Sequence, residues 1–320
     1  ALPASGSHAG TFTAQPGATM NITNGTMTLN GGTSFGGGGN IALGNGTYNA
    51  IGAITIATPV QVSGGIVTFS EDSTISSALT LSSGSLNVTA GKTVTLSANG
   101  NVFSGGTLGG AGTIRNTGTT SVGAGALSVA SALANAGTIT HSGTSTVSVT
   151  GSFINEAGAT YLITANTGGL NVSGGVSSSI VNLGTIRRSA GTGAFNFNAS
   201  IVGTPTISNQ GIVEIQSGTA TWAGASNATH TGSFDLSNGT TLTFSNGAQT
   251  FAAGSQIIGD GAAIFNGGTM NFTGALSIAA PIQIAGGTLT FSEDNTISSA
   301  LTLSSGSLNV TAGKTVTLSA

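Results

Sequence analysis

Residues Ile54–Ala98 read ITIATPVQVSGGIVTFSEDSTISSALTLSSGSLNVTAGKTVTLSA, and Leu276–Ala320 read LSIAAPIQIAGGTLTFSEDNTISSALTLSSGSLNVTAGKTVTLSA. The copies lie 222 residues apart, the distance from Pro59 to Pro281, and about four positions in five are identical. Folding constraints alone do not demand that much identity, so the segment is a recent duplication. Val60, Val62 and Val67 become Ile282, Ile284 and Leu289, swaps of similar shape that a packed core tolerates. Thr58, Ser63, Ile66 and Ser73 become Ala280, Ala285, Thr288 and Asn295. Most of these cross the polar–apolar line, which predicts an outward face for them, since strand side chains alternate.

Within one copy the apolar pairs Val60/Val62, Val67/Phe69, Leu79/Leu81, Leu86/Val88 and Val94/Leu96 each enclose one polar residue, the period of a strand. Gly, Ser, Asn and Asp separate the pairs and supply the turns. Further on, AGTIRN starts at Ala111, AGTITH at Ala136, AGATYL at Ala157, LGTIRR at Leu183 and QGIVEI at Gln210, spacings of roughly 21 to 27 residues. Three short strands with their turns fill that length. The pattern predicts an all-β chain: a right-handed parallel β-helix, or three-sided β-solenoid, of roughly 20–27 residues per coil. About 14 or 15 coils would rise about 70 Å at the spacing of paired strands. Val, Ile, Leu and Phe are expected inside, and Ser, Thr, Asn and Gly outside. Gly125–Ala136, GALSVASALANA, is the best helical alternative, and a β-sandwich the rival architecture.

Weaker matching extends upstream, where NGTMTLNGGTSF from Asn24 aligns with NGTTLTFSNGAQTF from Asn238. Residues 1–320 are therefore expected to form one continuous solenoid, about one and a half copies of a ~220-residue tandem unit, 54–98 being repeated as 276–320. Further copies are expected in a longer natural protein.

Charged residues make up 4% of the chain, against about 25% in an ordinary domain. Hydrophobic residues at 38% are enough to build a core and argue against disorder. The net charge is −3, and the basic residues Lys92, Arg115, Arg187, Arg188 and Lys314 are dispersed. That excludes a nucleic-acid footprint and a polybasic membrane anchor. Cysteine is absent. Apolar runs such as Ala275–Ala285, broken by Ser277, Pro281 and Gln283, fall short of the ~20 residues a spanning helix needs, so no membrane insertion is expected of this segment.

NAGTIT at Asn135–Thr140, NLGTIR at Asn182–Arg187, GGTLTFS at Gly286–Ser292 and GSLNVTAGKTVTLSA at Gly84–Ala98 resemble rungs of filamentous-haemagglutinin-type and autotransporter-type passenger domains of bacterial repeat adhesins. The resemblance implies secretion to the cell surface or beyond. It also implies a structural role in a stiff adhesive rod or extracellular filament serving attachment, biofilm or cell–cell contact. The partners it implies are other coils, end to end or in neighbouring repeats, and carbohydrate or cell-surface ligands.

The chemistry-bearing residues are few. Of the eight carboxylates, Glu71–Asp72 and Glu293–Asp294 are the adjacent pairs, read as solvated corners rather than metal ligands. His8, His141 and His230 are scattered without ligand spacing and are expected at the surface. Arg115 and Arg187 each follow Gly-Thr-Ile and are expected at equivalent rung positions. Gly36–Gly39 lacks the Gly-Lys-Ser/Thr ending of a phosphate loop and reads as a corner. Trp222, Tyr48 and Tyr161 are candidate sugar-stacking rings, while Phe195 and Phe197 are expected in the core. No residue is assigned as catalytic, cofactor-binding or metal-binding, no cofactor is expected, and the chain is read as a non-enzyme. The alternatives are a polysaccharide-binding or polysaccharide-degrading β-helix and an ice-binding solenoid. Against the second, the Thr-x-Thr triplets at Thr11, Thr26, Thr93, Thr241 and Thr315 do not share one coil position.

Overall fold

The computed structural model describes residues 2–3, 5–175, 177–199, 205–224 and 228–319. Every regular element among them is a β-strand. Ala320, the last residue of the second copy, lies outside the described residues. The chain forms two compact units, Ala1–Phe153 and Ile154–Ala320.

In the first unit, one turn consists of the strands Asn101–Phe103, Gly106–Gly109 and Thr113–Asn116, and the next of Thr119–Val122, Leu127–Val129 and Ala132–Asn135. Each strand pairs in parallel with its equivalent in the next turn: Asn101 with Thr120, Gly106 with Leu127, Thr113 with Ala132. The third column runs from Thr11–Ala14 through Ser34–Gly37, Thr55–Ile56, Ser73–Ile75, Thr93–Leu96 and Thr113–Asn116 to Ala132–Asn135. Among the described residues the strand pairings run between turns and not between consecutive strands, and the sheets grow by stacking turns. This is a parallel β-solenoid. Gly125–Ala136, the best helical alternative in an all-β reading, supplies the strands Leu127–Val129 and Ala132–Asn135.

The second unit is built the same way. Thr160–Ile163 pairs with Thr185–Arg188, then Ile212–Ile215, Ser233–Leu236 and Gln256–Gly259. The turn length varies from 19 residues, Val60 to Leu79 in the first unit, to 27, Gly168 to Phe195 in the second. Extra residues go into corners, so the columns keep their alignment.

Alternation sorts the side chains. Leu79, Leu81, Leu86, Val88, Val94 and Leu96 are buried in the first unit. Val60, Val62 and Val67, and their counterparts Ile282, Ile284 and Leu289, are buried in theirs. The first unit has a largely aliphatic interior. The second is lined with rings: Phe251 stacks on Phe272 at 4.8 Å and Phe272 on Phe291 at 4.7 Å, while Phe197, Trp222, Phe244 and Phe265 fill the neighbouring column. Offset ring stacks of this kind add to the stability gained from burial alone.

The outward assignment of variable positions holds for Ser63 and Ile66 and fails for Thr58 and Ser73. Thr58 is fully buried because its hydroxyl donates to the Gly39 carbonyl at 2.6 Å, a bond that Ala280 gives up in the second copy. The Ser73 hydroxyl donates to the Glu71 carbonyl, and its counterpart Asn295 reaches both Gly274 and Glu293 carbonyls. A buried polar position can change identity if the new side chain finds its own partners.

The repeat also reaches further upstream, in a different register from the one expected. Among the described residues, the non-glycines with positive φ are Asn24 and Asn246, both at 61° and 222 residues apart. Asn24 therefore corresponds to Asn246 and not to Asn238. Both open an Asn-Gly corner in the left-handed region, which asparagine tolerates better than most residues.

Candidate functional site

The most organised polar feature is inside. Asn101, Asn116 and Asn135 in the first unit, and Asn155, Asn182 and Asn209 in the second, are fully buried. The Asn116 Nδ2 donates to Asn135 Oδ1 at 2.8 Å, while Asn116 Oδ1 accepts from the Thr120 hydroxyl at 2.9 Å. In the second unit Asn155 donates to Asn182, and Asn182 to Asn209, each at 2.8 Å. Their remaining amide hydrogens reach backbone carbonyls at the start of the next strand, Thr185 and Ile212 among them. Four of these residues open Asn-x-Gly corners, at 116–118, 135–137, 182–184 and 209–211. At the glycine, the preceding turn's carbonyl occupies the place of a side chain: a Cβ on Gly137 would lie 2.1 Å from the Gly118 oxygen, and one on Gly211 2.2 Å from that of Gly184. The recurring Asn-x-Gly therefore has a physical reason. Asn links turns from within, and Gly lets their backbones close. The expectation that Asn belongs outside is corrected at these positions.

The recurring Ala-Gly-Thr-Ile run mis-set the period. AGTIRN at Ala111 leads into a third-column strand, whereas AGTITH at Ala136 leads into a first-column strand, so their spacing is not one turn.

Two histidines expected at the surface are fully buried. His230 Nδ1 accepts the Asn209 backbone N–H at 3.1 Å, which puts the ring proton on Nε2, donating to Gln249 Oε1 at 2.7 Å. Trp222, Phe234 and Phe251 surround the ring. Burial pushes the His230 pKa down to about 4, against partial support from Gln249. His141, hydrogen-bonded to the Ser145 carbonyl, is held at about 4 by the same cause.

The candidate sugar platforms are in the core as well. Trp222 and Tyr48 are fully buried and Tyr161 nearly so. The Tyr48 hydroxyl donates to the Ile22 carbonyl at 2.6 Å. Phe195 and Phe197 are buried, as expected. A groove over Pro59 is lined by Thr19, Asn40, Gln61 and Thr80 with Ile41, Ala42, Val60 and Ala78, a lining without aromatic or charged side chains.

The sparse charges work between turns. Lys92 pairs with Glu71, Arg187 with Glu214 and Lys314 with Glu293. The partners are 21 or 27 residues apart, one turn in each case. Asp72 accepts the Thr93 backbone N–H and Asp294 that of Thr315, both at 2.7 Å. The Glu-Asp corners thus clamp the next turn with both carboxylates. Sequence spacing gave no hint that Glu214 and Asp235 are register partners one turn apart, in line with Arg187. Arg115, by contrast, aligns with Thr95 and Ala134. Arg187 and Arg115 therefore differ in their neighbours and do not repeat one charged row. Arg188 points inward in a column of Ile163 and Ile215, donating to the carbonyls of Ser217, Asn166 and Gly193. Among the described residues no group of three or more His, Cys, Asp or Glu side chains is placed to hold a metal.

Outward positions form rows of neutral hydrogen-bonding groups. In the first unit Thr11, Ser34, Thr55, Thr74 and Thr95 align on one face, and Ser7, Thr28, Asn49, Thr68 and Asn87 on another. Thr11–Thr13 and Thr93–Thr95 lie in the third column and Thr26–Thr28 in the second. Gly36 and Gly37 continue the strand Ser34–Gly37 against Thr13 and Ala14, and the corner follows at Gly38 and Gly39. Such rows can donate and accept hydrogen bonds along a ligand or a neighbouring surface. Among the described residues no helix is long and apolar enough to cross a membrane. Comparison with protein-family models, with curated proteins and with solved structures gives no match.

Proposed function

We propose that the chain is a structural stacking module of a secreted or cell-surface bacterial adhesin or extracellular filament, in the manner of the passenger domains it resembles. It works by attachment or cell–cell contact and not by catalysis. The observation that carries the reading is the turn-on-turn construction of each unit: parallel pairing throughout, charges spent on clamping one turn to the next, and outer rows of hydroxyl and amide groups. Nearest-neighbour stacking gives stiffness that scales with the number of turns. Neutral polar rows make many weak contacts with little dependence on salt, which suits adhesion in variable surroundings.

The test uses cells that make the full-length protein. Surface proteolysis should release fragments containing this chain, and deleting the coding sequence should lower attachment or cell–cell aggregation. Retention of the protein inside the cell together with unchanged attachment would sink the proposal.

A further inference from the structure

One column of strands in the second unit is interrupted. The sheet that holds Ser179–Asn182 and Thr206–Asn209 ends on the latter strand. The strand one turn on, Ala228–His230, belongs to the other sheet and pairs with Ala248–Phe251. The bonds that cross this seam converge on Asn209. Its backbone oxygen accepts the N–H groups of Thr231 and Gly232 at 3.0 and 3.1 Å, and its side chain donates to the Ser233 carbonyl at 2.9 Å. Its backbone N–H donates to His230 Nδ1 at 3.1 Å. A ring nitrogen thus stands where a strand ladder would supply a main-chain acceptor.

The ring is fixed on its far side as well, with Nε2–H donating to Gln249 Oε1 at 2.7 Å. Gln249 Nε2 and Trp222 Nε1 are buried donors without a partner. The unpaired side-chain groups beside the ring are therefore donors, and a second ring proton finds no acceptor among them. Asn209, Trp222, Phe234, Gln249 and Phe251 face the imidazole, and none of them titrates. Asp235, the charged residue on the strand Ser233–Leu236, is exposed on its outer face.

We infer that this seam is a latch released by acid: a proton on His230 Nδ1 sets two donors against each other, and Thr206–Asn209 parts from Ala228–His230 while the neighbouring strands stay stacked. Those neighbours, Ile212–Ile215 on Ser233–Leu236 and Thr219–Ala223 on Thr241–Ser245, are held by main-chain pairing that uses no ring nitrogen. Burial holds the His230 pKa down to about 4, so the latch is closed at neutral pH. An opened seam would take the proton near the ordinary value of 6.5, so its population rises on the order of a hundredfold between pH 7 and pH 4. The device goes beyond the adhesive reading and does not depend on it.

Amide hydrogen exchange on the full chain tests it. At pH 4 the amides of Asn209, Thr231 and Gly232 should exchange at least about tenfold faster than those of Ile212–Ile215 and Ser233–Leu236, and with little dependence on urea, the mark of a local opening. At pH 7 that gap should close by on the order of a hundredfold or vanish. His230→Gln, which carries no titrating ring, should remove the pH dependence of the three amides; His141→Gln in the first unit should leave it intact. As a second measurement on the unsubstituted chain, the His230 ring and the Asn209 amide should titrate together in NMR spectra, near pH 4. Seam amides that match their neighbours in rate and urea dependence at pH 4, pH dependence that survives His230→Gln, or an Asn209 amide that ignores the ring titration would overturn the inference.

Discussion

The Asn182 side chain donates to the Asn209 side-chain oxygen at 2.8 Å, shut off from solvent, while its own oxygen accepts from Asn155. Asn182→Ala removes the middle of that chain and leaves a donor on Asn155 and an acceptor on Asn209 short of a partner. A buried group left unpaired costs about 1–3 kcal/mol. The second unit should therefore lose on the order of 2–6 kcal/mol in urea unfolding, counting both orphans. A loss below about 0.5 kcal/mol, the range of ordinary surface substitutions, would show that the asparagine row is not a structural link.

Acid should weaken the second unit through His230. Its folded pKa is about 4, below the ordinary histidine value of 6.5, because burial disfavours the cation. Nδ1 already accepts the Asn209 N–H, so a second ring proton has no acceptor. Between pH 6.5 and about 4 the unfolded chain binds the extra proton and the folded one does not. Stability is then full above pH 6.5 and falls as pH drops towards 4, by on the order of 3 kcal/mol for this group. His230→Gln should flatten that slope in unfolding curves taken across the window; an unchanged slope would contradict the assignment.

Close stacking at the Asn-x-Gly corner should make Gly137→Ala severe. Its Cβ would meet the Gly118 carbonyl oxygen at 2.1 Å, which backbone must move to relieve. A loss of more than about 2 kcal/mol in the first unit is expected, in the range of core strain. Gly36→Ala provides the contrast, since nothing lies within 4 Å of its Cβ position, and should change stability by less than about 0.5 kcal/mol. Equal effects of the two substitutions would contradict the stacking geometry.

The Arg187–Glu214 pair is partly exposed, and exposed pairs contribute little and are screened by salt. Glu214→Gln should lower the melting temperature slightly at low ionic strength and not at all in about 1 M salt, where the screening length is about 3 Å. A loss that persists undiminished in salt would point to a packing role instead.

The fold was legible in the sequence because its signal is repetition. Val60/Val62 and Leu79/Leu81 give the strand period, and the conservative swaps between the two copies mark Val60, Val62 and Val67 as core. What stayed hidden was the interior polar content. Asn182, His230 and Thr58 carry residue types that favour the surface, and their burial depends on partners supplied by other turns, 19 to 27 residues away. The alignment of Glu214 with Asp235 was hidden for the same reason, since turn lengths vary and register follows from corner geometry. The burial of the candidate platform rings Trp222, Tyr48 and Tyr161 was hidden as well, because an isolated Trp or Tyr carries no periodicity of its own.

The duplication keeps step with the turns: Thr28, Asn49, Thr68 and Asn87 form one outward row, and Thr250, Asn271, Thr290 and Asn309 form its counterpart. Unequal recombination between the two gene segments would therefore insert or excise whole turns without shifting any strand to the wrong face. A lineage carrying this gene can vary the length of its protein in one genetic event, with no intermediate that must fold around a broken register.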